Sequence, residues 1–233
     1  MRRVIVSALA ALAFATGAMA QSYDLYYVLP GEAGSKGIEA GIAAADVGSI
    51  GDVGVVNLGG KYSLSDQIEV GALAELGLLN DALSTLSTIT AGAKYSMGED
   101  MALTAGLLIP TGDADDPGLS LGVMKTITSG DLMINNWLQI GLLDGATGGV
   151  GVNVDLLIEP TKAFGDKITG YLDILVSTNT DDIAGDHLGI DIGPNTDISI
   201  SDAAVVNVGV TLGAVGDAKA DDLGIIATLV MGL

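Results

Sequence analysis

The 233-residue chain contains no cysteine, so no disulfide holds its fold and no thiol can act as nucleophile or metal ligand. Arginine occurs only at Arg2 and Arg3, and Lys and Arg together number 9 against 29 Asp and Glu. Neutralising nucleic-acid phosphates takes clustered basic side chains, so nucleic acid is excluded as a partner, and an anionic membrane surface repels the chain for the same reason. Aromatic residues are scarce, with 2 Phe, 1 Trp and 6 Tyr. Beyond the first twenty residues Gly or a polar group interrupts every apolar stretch before eighteen residues accumulate, which excludes a helical transmembrane span. The mean hydropathy is nevertheless +0.53, high for a chain this acidic.

The apolar excess is distributed at period two. Ile68, Val70, Ala72, Ala74, Leu76 and Leu78 alternate with Glu69, Gly71, Leu73, Glu75 and Gly77, the pattern of a strand with one greasy face and one small or polar face. Similar stretches recur to Leu233. With 34 glycines, many β-branched residues and few Lys, Glu or Gln, long helices are disfavoured. The alternation and its turn residues predict about twelve antiparallel strands, near 36–46, 52–64, 68–79, 84–97, 101–110, 119–128, 132–143, 149–159, 167–178, 187–200, 204–214 and 223–233. Strand 36–46 is ambiguous, since Gly37 to Ala45 could also begin a helix. Tight connections near 65–67, 98–100, 129–131 and 201–203 alternate with longer ones near 111–118, 144–148, 179–186 and 215–222. The segment from Glu159 through Pro160 to Asp166 breaks this order, a long connection where a short one is expected. Lys61-Tyr62-Ser63-Leu64 recurs as Lys94-Tyr95-Ser96-Met97, a hairpin-level repeat.

Ahead of these strands, Arg2 and Arg3, the apolar run Val4 to Ala15 and the small-x-small sequence Ala18-Met19-Ala20 predict a cleavable export signal over residues 1–20. Its removal takes away both arginines and moves the formal charge from −20 to −22. Residues 21–35, with Tyr23, Tyr26 and Tyr27, read as a tail or an extra strand.

An export signal followed by residues 36–233 in alternating strands resembles the porin-like outer-membrane β-barrels of diderm bacteria. The resemblance implies an all-β, antiparallel up-and-down transmembrane barrel in the outer membrane. Its partners would be outer-membrane lipid and small solutes or cations, and it could be a monomer or a homo-oligomer. Such barrels typically end on an aromatic residue, a place taken here by Leu233. A soluble β-sandwich for binding or adhesion is the structural rival, because it too alternates.

If the apolar set faces lipid, the opposite set faces the lumen: Glu69, Glu75, Asp155, Glu159, Asp173, Asp191 and Asp197, with Lys61 and Lys94. Carboxylate-lined passages favour cations, so the expected activity is a passive, weakly cation-preferring pore. A barrel plugged by its own side chains is the alternative. Tyr62 and Tyr95 share parity with Leu58, Leu64 and Met97 and are expected in an outward interfacial girdle.

No enzyme is read from the sequence. The single histidine, His187, stands beside Asp186 without a Gly-x-Ser-x-Gly elbow. Loop aspartates 113, 115, 116, 181, 182, 186, 217, 221 and 222 follow no calcium-loop spacing. Gly145 to Gly151 lacks the Lys-Ser/Thr of a phosphate cradle. No metal or cofactor is expected.

Overall fold

Alternation forces each strand to find partners on both edges, and a ring is the one arrangement that leaves no edge open. The computed structural model describes residues 32–46, 52–77, 86–111, 117–142, 152–179, 188–216 and 223–233. The predicted signal 1–20, most of the 21–35 segment, His187, the loop aspartates and the 145–151 glycine stretch lie outside them.

Twelve strands form a closed antiparallel barrel: β1 Lys36–Asp46, β2 Asp52–Ser63, β3 Ile68–Gly77, β4 Leu86–Ser96, β5 Met101–Pro110, β6 Gly118–Ser129, β7 Leu132–Gly141, β8 Asn153–Ala163, β9 Ile168–Asn179, β10 Gly189–Ser201, β11 Ala204–Val215 and β12 Leu223–Gly232. Each strand pairs with its sequence neighbours, and β1 closes on β12 from Gly37 opposite Gly232 to Asp46 opposite Leu223. The ambiguous segment 36–46 is therefore the closing strand. One ring, rather than two packed sheets, removes the sandwich alternative.

Turn chemistry divides the two rims. The short connections β2–β3, β4–β5, β6–β7, β8–β9 and β10–β11 all lie at the rim where β1 begins and β12 ends. At Ser129–Leu132 only Gly130 and Asp131 separate paired residues, and Gly130 has φ of 60°, a conformation that an L side chain resists. Ser65 Oγ accepts from the backbone N–H groups of Gln67 and Ile68 at 3.2 and 3.1 Å, fixing the β2–β3 turn. Residues 33–35 dock there as well: Gly34 N–H donates to Ser63 O at 2.8 Å and Ala33 N–H to Asp66 Oδ1 at 3.1 Å.

The long connection expected from Glu159 to Asp166 is absent. β8 runs through Pro160 to Ala163, and only Phe164 to Lys167 separate it from β9. Proline withholds a single N–H, so Pro160 keeps its place opposite Ile134 on β7 while the ladder to β9 steps from Ile158–Ile174 to Thr161–Tyr171. Pro194 behaves likewise in β10, opposite Leu172 on β9 while the ladder to β11 steps from Ile192–Leu212 to Asn195–Gly209. Losing one bond between two neighbours is tolerable where the rest of the register continues on both sides.

Burial alternates as the sequence does. Ile42, Leu58, Leu103, Leu121, Ile127 and Ile225 are exposed on the outer face, part of an apolar surface distributed around the ring. A water-soluble protein seldom carries a contiguous apolar surface of more than a few hundred Å². The inner face holds the buried residues, polar and apolar alike.

Candidate functional site

The inner wall contains two polar networks. On β2 to β4, register sets Ser63 opposite Glu69 and Glu69 opposite Lys94. Lys94 Nζ lies 3.1 Å from Glu69 Oε1, and Lys61 Nζ lies 3.5 Å from Glu69 Oε2. Ser63 Oγ donates to Glu69 Oε2 at 3.3 Å. Lys94 and Glu69 are fully buried, whereas the Lys61 side chain retains 15% exposure. One carboxylate thus bridges two ammonium groups, and the repeat Lys-Tyr-Ser places both lysines on the same face.

The second network spans β6 to β11. Asn135 Nδ2 and Thr161 Oγ1 donate to Glu159 Oε1 at 2.8 and 2.9 Å, and Thr126 Oγ1 donates to Asn135 Oδ1 at 2.9 Å. Asn195 Nδ2 donates to Asp173 Oδ2 at 2.7 Å. Further along, Tyr171 OH and Asn207 Nδ2 donate to Asp197 Oδ1 at 3.4 and 2.8 Å, and Asn207 also bonds the Tyr171 hydroxyl. Neutral amides and hydroxyls solvate these carboxylates. The ion pairs Lys61–Glu69 and Lys94–Glu69 lie on the other side of the ring.

Glu75 on β3 and Asp191 on β10 are buried, at 5% and 4% exposure, and Asp155 on β8 is half-buried. Lys61, Lys94 and Glu69 are brought together. Asp155, Glu159, Asp173, Asp191 and Asp197 occupy neighbouring strands β8 to β10, while Glu75 stands apart from them on β3. Among the described residues no three acidic or histidine side chains converge as a metal-binding group.

The inner wall also carries an apolar ribbon of Ala102, Met124, Trp137, Leu157 and Leu175, all buried and supplied by the consecutive strands β5 to β9. Trp137 Nε1 donates to Thr104 Oγ1 at 3.0 Å. Gly122 makes room for this bond, since a Cβ there would lie 2.5 Å from both bonded atoms and 2.9 Å from the Leu138 carbonyl oxygen. The sequence reading assigned the inner face to small and polar groups and overlooked this ribbon, although Trp137 shares parity with Asn135 and Gln139.

On the outer face Tyr62 and Tyr95 are 40% and 45% exposed, each one residue from the end of its strand at the short-turn rim. Lys36 Nζ stands 5.9 Å from the Tyr62 ring centre, within cation–π range. Phe164 lies over Gly170, whose Cβ position would be 2.9 Å from the ring edge.

The same closed barrel occurs in outer-membrane channels. A channel from Pseudomonas putida F1 superposes with TM-score 0.62 at 12% identity, over 90% of this chain and 98% of that one. The KdgM porin, solved in complex with disordered oligogalacturonate, gives 0.62 at 8% identity over 84% and 98%. The translocator domain of autotransporter NalP from Neisseria meningitidis gives 0.58 at 13% over 96% of both chains. The fold is that of outer-membrane porins and channels. Neither a family profile nor a curated protein sequence matches the chain. At these identities the likeness speaks for the fold alone, and the chemistry rests on the residues described above.

Proposed function

We propose that this chain is exported through a signal at residues 1–20, inserts as a barrel into the outer membrane, and forms a passive, weakly cation-preferring pore for small solutes. The observation that carries the reading is the placement of charge on the inner wall. Glu69 pairs with Lys61 and Lys94 on β2 to β4, whereas Glu159 and Asp173 on β8 and β9 are answered by amides and a hydroxyl. A lumen bounded by low-dielectric walls amplifies that negative potential, concentrating cations and repelling anions. Glu75 and Asp191 add to the same sign. In this reading Tyr62 and Tyr95 sit at the membrane boundary with wet hydroxyls, and the short-turn rim faces the periplasm.

Two measurements test the proposal. Extraction only by detergent, with heat-modifiable gel mobility, is expected for the barrel, and release by osmotic shock would refute the location. In planar bilayers the refolded protein should give steps of conductance with a reversal potential displaced towards that of the cation in a salt gradient.

A second reading, a barrel closed by its own side chains, draws on the apolar ribbon of Met124, Trp137, Leu157 and Leu175, which a water-filled passage does not need. Twelve strands stand between the eight whose side chains fill a barrel and the sixteen that leave an aqueous channel. Bilayers that remain silent at high protein load would select it.

A further inference from the structure

We infer that the short-turn rim carries two seats for the phosphate group of an anionic phospholipid, one at Lys36 on β1 and one at Lys162 on β8. These seats rest on the membrane reading above and specify which headgroup the rim recognises. Among the described side chains, the strands sort their charge by face. Their acids lie on the inner wall, from Glu39 on β1 to Asp197 on β10, and the outward strand charges are Lys36, Lys125 and Lys162. Lys36 opens β1, Lys125 stands opposite Met101, the first residue of β5, and Lys162 opposite Leu132, the first residue of β7. All three therefore emerge where the apolar outer wall ends at the short-turn rim.

Two of these lysines share one arrangement. Lys36 stands opposite Tyr62, with Nζ 5.9 Å from the ring centre. Lys162 stands opposite Gly170, the glycine over which the exposed Phe164 ring lies. Each seat is thus an ammonium group beside an outward aromatic ring, and neither lysine forms an ion pair among the described residues. Lys125 differs, because Asp100 holds it.

The surroundings favour a lipid over a free anion. Exposed Ile38, Leu132 and Ile168 continue the apolar wall beside the two seats, so an acyl chain can lie on the wall while its phosphate meets the lysine. Long lysine stems reach from such a wall to the headgroup layer, and aromatic rings settle at the same depth. On the water side Glu32, Asp66, Asp131 and Asp166, all exposed beyond the strand ends, repel small anions arriving from solution. The chain's net charge opposes an anionic surface at long range, yet screening confines that repulsion to about 8 Å at physiological salt. A lysine close to an anionic headgroup strengthens binding about fivefold.

Native mass spectrometry of the folded, detergent-solubilised protein tests this with phosphatidylglycerol and phosphatidylcholine of equal chain length. The wild type should retain up to two phosphatidylglycerol molecules, with a preference of roughly threefold or more over phosphatidylcholine. Lys36→Gln/Lys162→Gln should bring the two lipids to equality, and Lys36→Arg/Lys162→Arg should keep the preference. If the double Gln variant fails to fold, judged by heat-modifiable gel mobility, each single Gln variant carries the comparison and should lose one of the two lipids. Equal retention of both lipids by the folded wild type, or an unchanged preference in the Gln variants, would overturn the seats and leave the barrel and its pore standing. A wild type that stays in solution without detergent would overturn the membrane reading, and the seats with it.

Discussion

Because Glu69 serves two lysines, its removal should cost more than the removal of either one. Glu69→Gln leaves Lys94, fully buried, and Lys61, mostly buried, side by side without the carboxylate between them. Lys94→Met leaves Glu69 with Lys61 at 3.5 Å and the Ser63 hydroxyl at 3.3 Å. At an effective dielectric constant of about 20, a 3.1 Å pair attracts by roughly 5 kcal/mol, much of it offset by desolvation. Breaking a buried pair by deleting one partner costs about 3–5 kcal/mol. Glu69→Gln should reach that range, and Lys94→Met should cost about half as much because Lys61 continues to answer the charge. Adding Lys94→Met to Glu69→Gln should then recover stability, since the remaining Lys61 can hydrate its ammonium. The assay is urea unfolding in lipid vesicles followed through the emission of Trp137, the one tryptophan. Equal costs for the two single variants, or additive costs in the double variant, would refute the shared-carboxylate reasoning.

Three further outcomes follow from packing. Gly122→Ala should break the Trp137–Thr104 bond and crowd the Leu138 carbonyl, lowering stability by about 1–3 kcal/mol with a shifted Trp137 emission spectrum; unchanged emission and stability would refute it. Phe164→Ala should uncover Gly170 and cost about 1 kcal/mol in the same urea assay, an effect absent if the ring merely lies in solvent. Replacing Tyr62 and Tyr95 together by Ala should slow insertion into vesicles and lower the unfolding midpoint by the equivalent of about 1–2 kcal/mol, whereas no change would dismiss the boundary role.

Period-two alternation carried most of the fold because a strand with one lipid-compatible face repeats its signature in every ten residues. It even placed the ambiguous 36–46 segment, whose Ile38 and Ile42 are exposed while Glu39 and Ala43 are buried. Pro160 misled because a strand interior normally needs each N–H. In a closed ring with intact register on both sides, one missing bond does not end a strand, so β8 continues to Ala163. The inner wall was less legible, since parity names the residues on a face and not their neighbours. Glu159 and Asp173 become partners only once β8 and β9 are placed in register, and the β8 boundary near Pro160 had hidden that register. The Met124–Trp137–Leu157–Leu175 ribbon is likewise a property of strand-to-strand alignment, invisible in any single stretch.

Total charge and charge placement bear on selectivity in different ways. In the proposed pore the excess of 20 negative charges would favour cations, yet a passing ion would sense mainly what lies within a Debye length, about 8 Å at physiological salt. On one wall the inward lysines Lys61 and Lys94 stand beside Glu69, and on the other Glu159 and Asp173 stand among neutral amides and hydroxyls. β3 and β9 lie across the ring from each other, so the two lysines weaken the negative potential on one side of the cross-section only. Cation preference should therefore be modest in the wild type and should rise when Lys61 and Lys94 are both replaced by Met, provided Glu69→Gln is included so that no carboxylate is stranded. Reversal potentials in a tenfold potassium chloride gradient provide the measurement. A triple variant no more cation-selective than the wild type would mean that ions do not pass between these two walls.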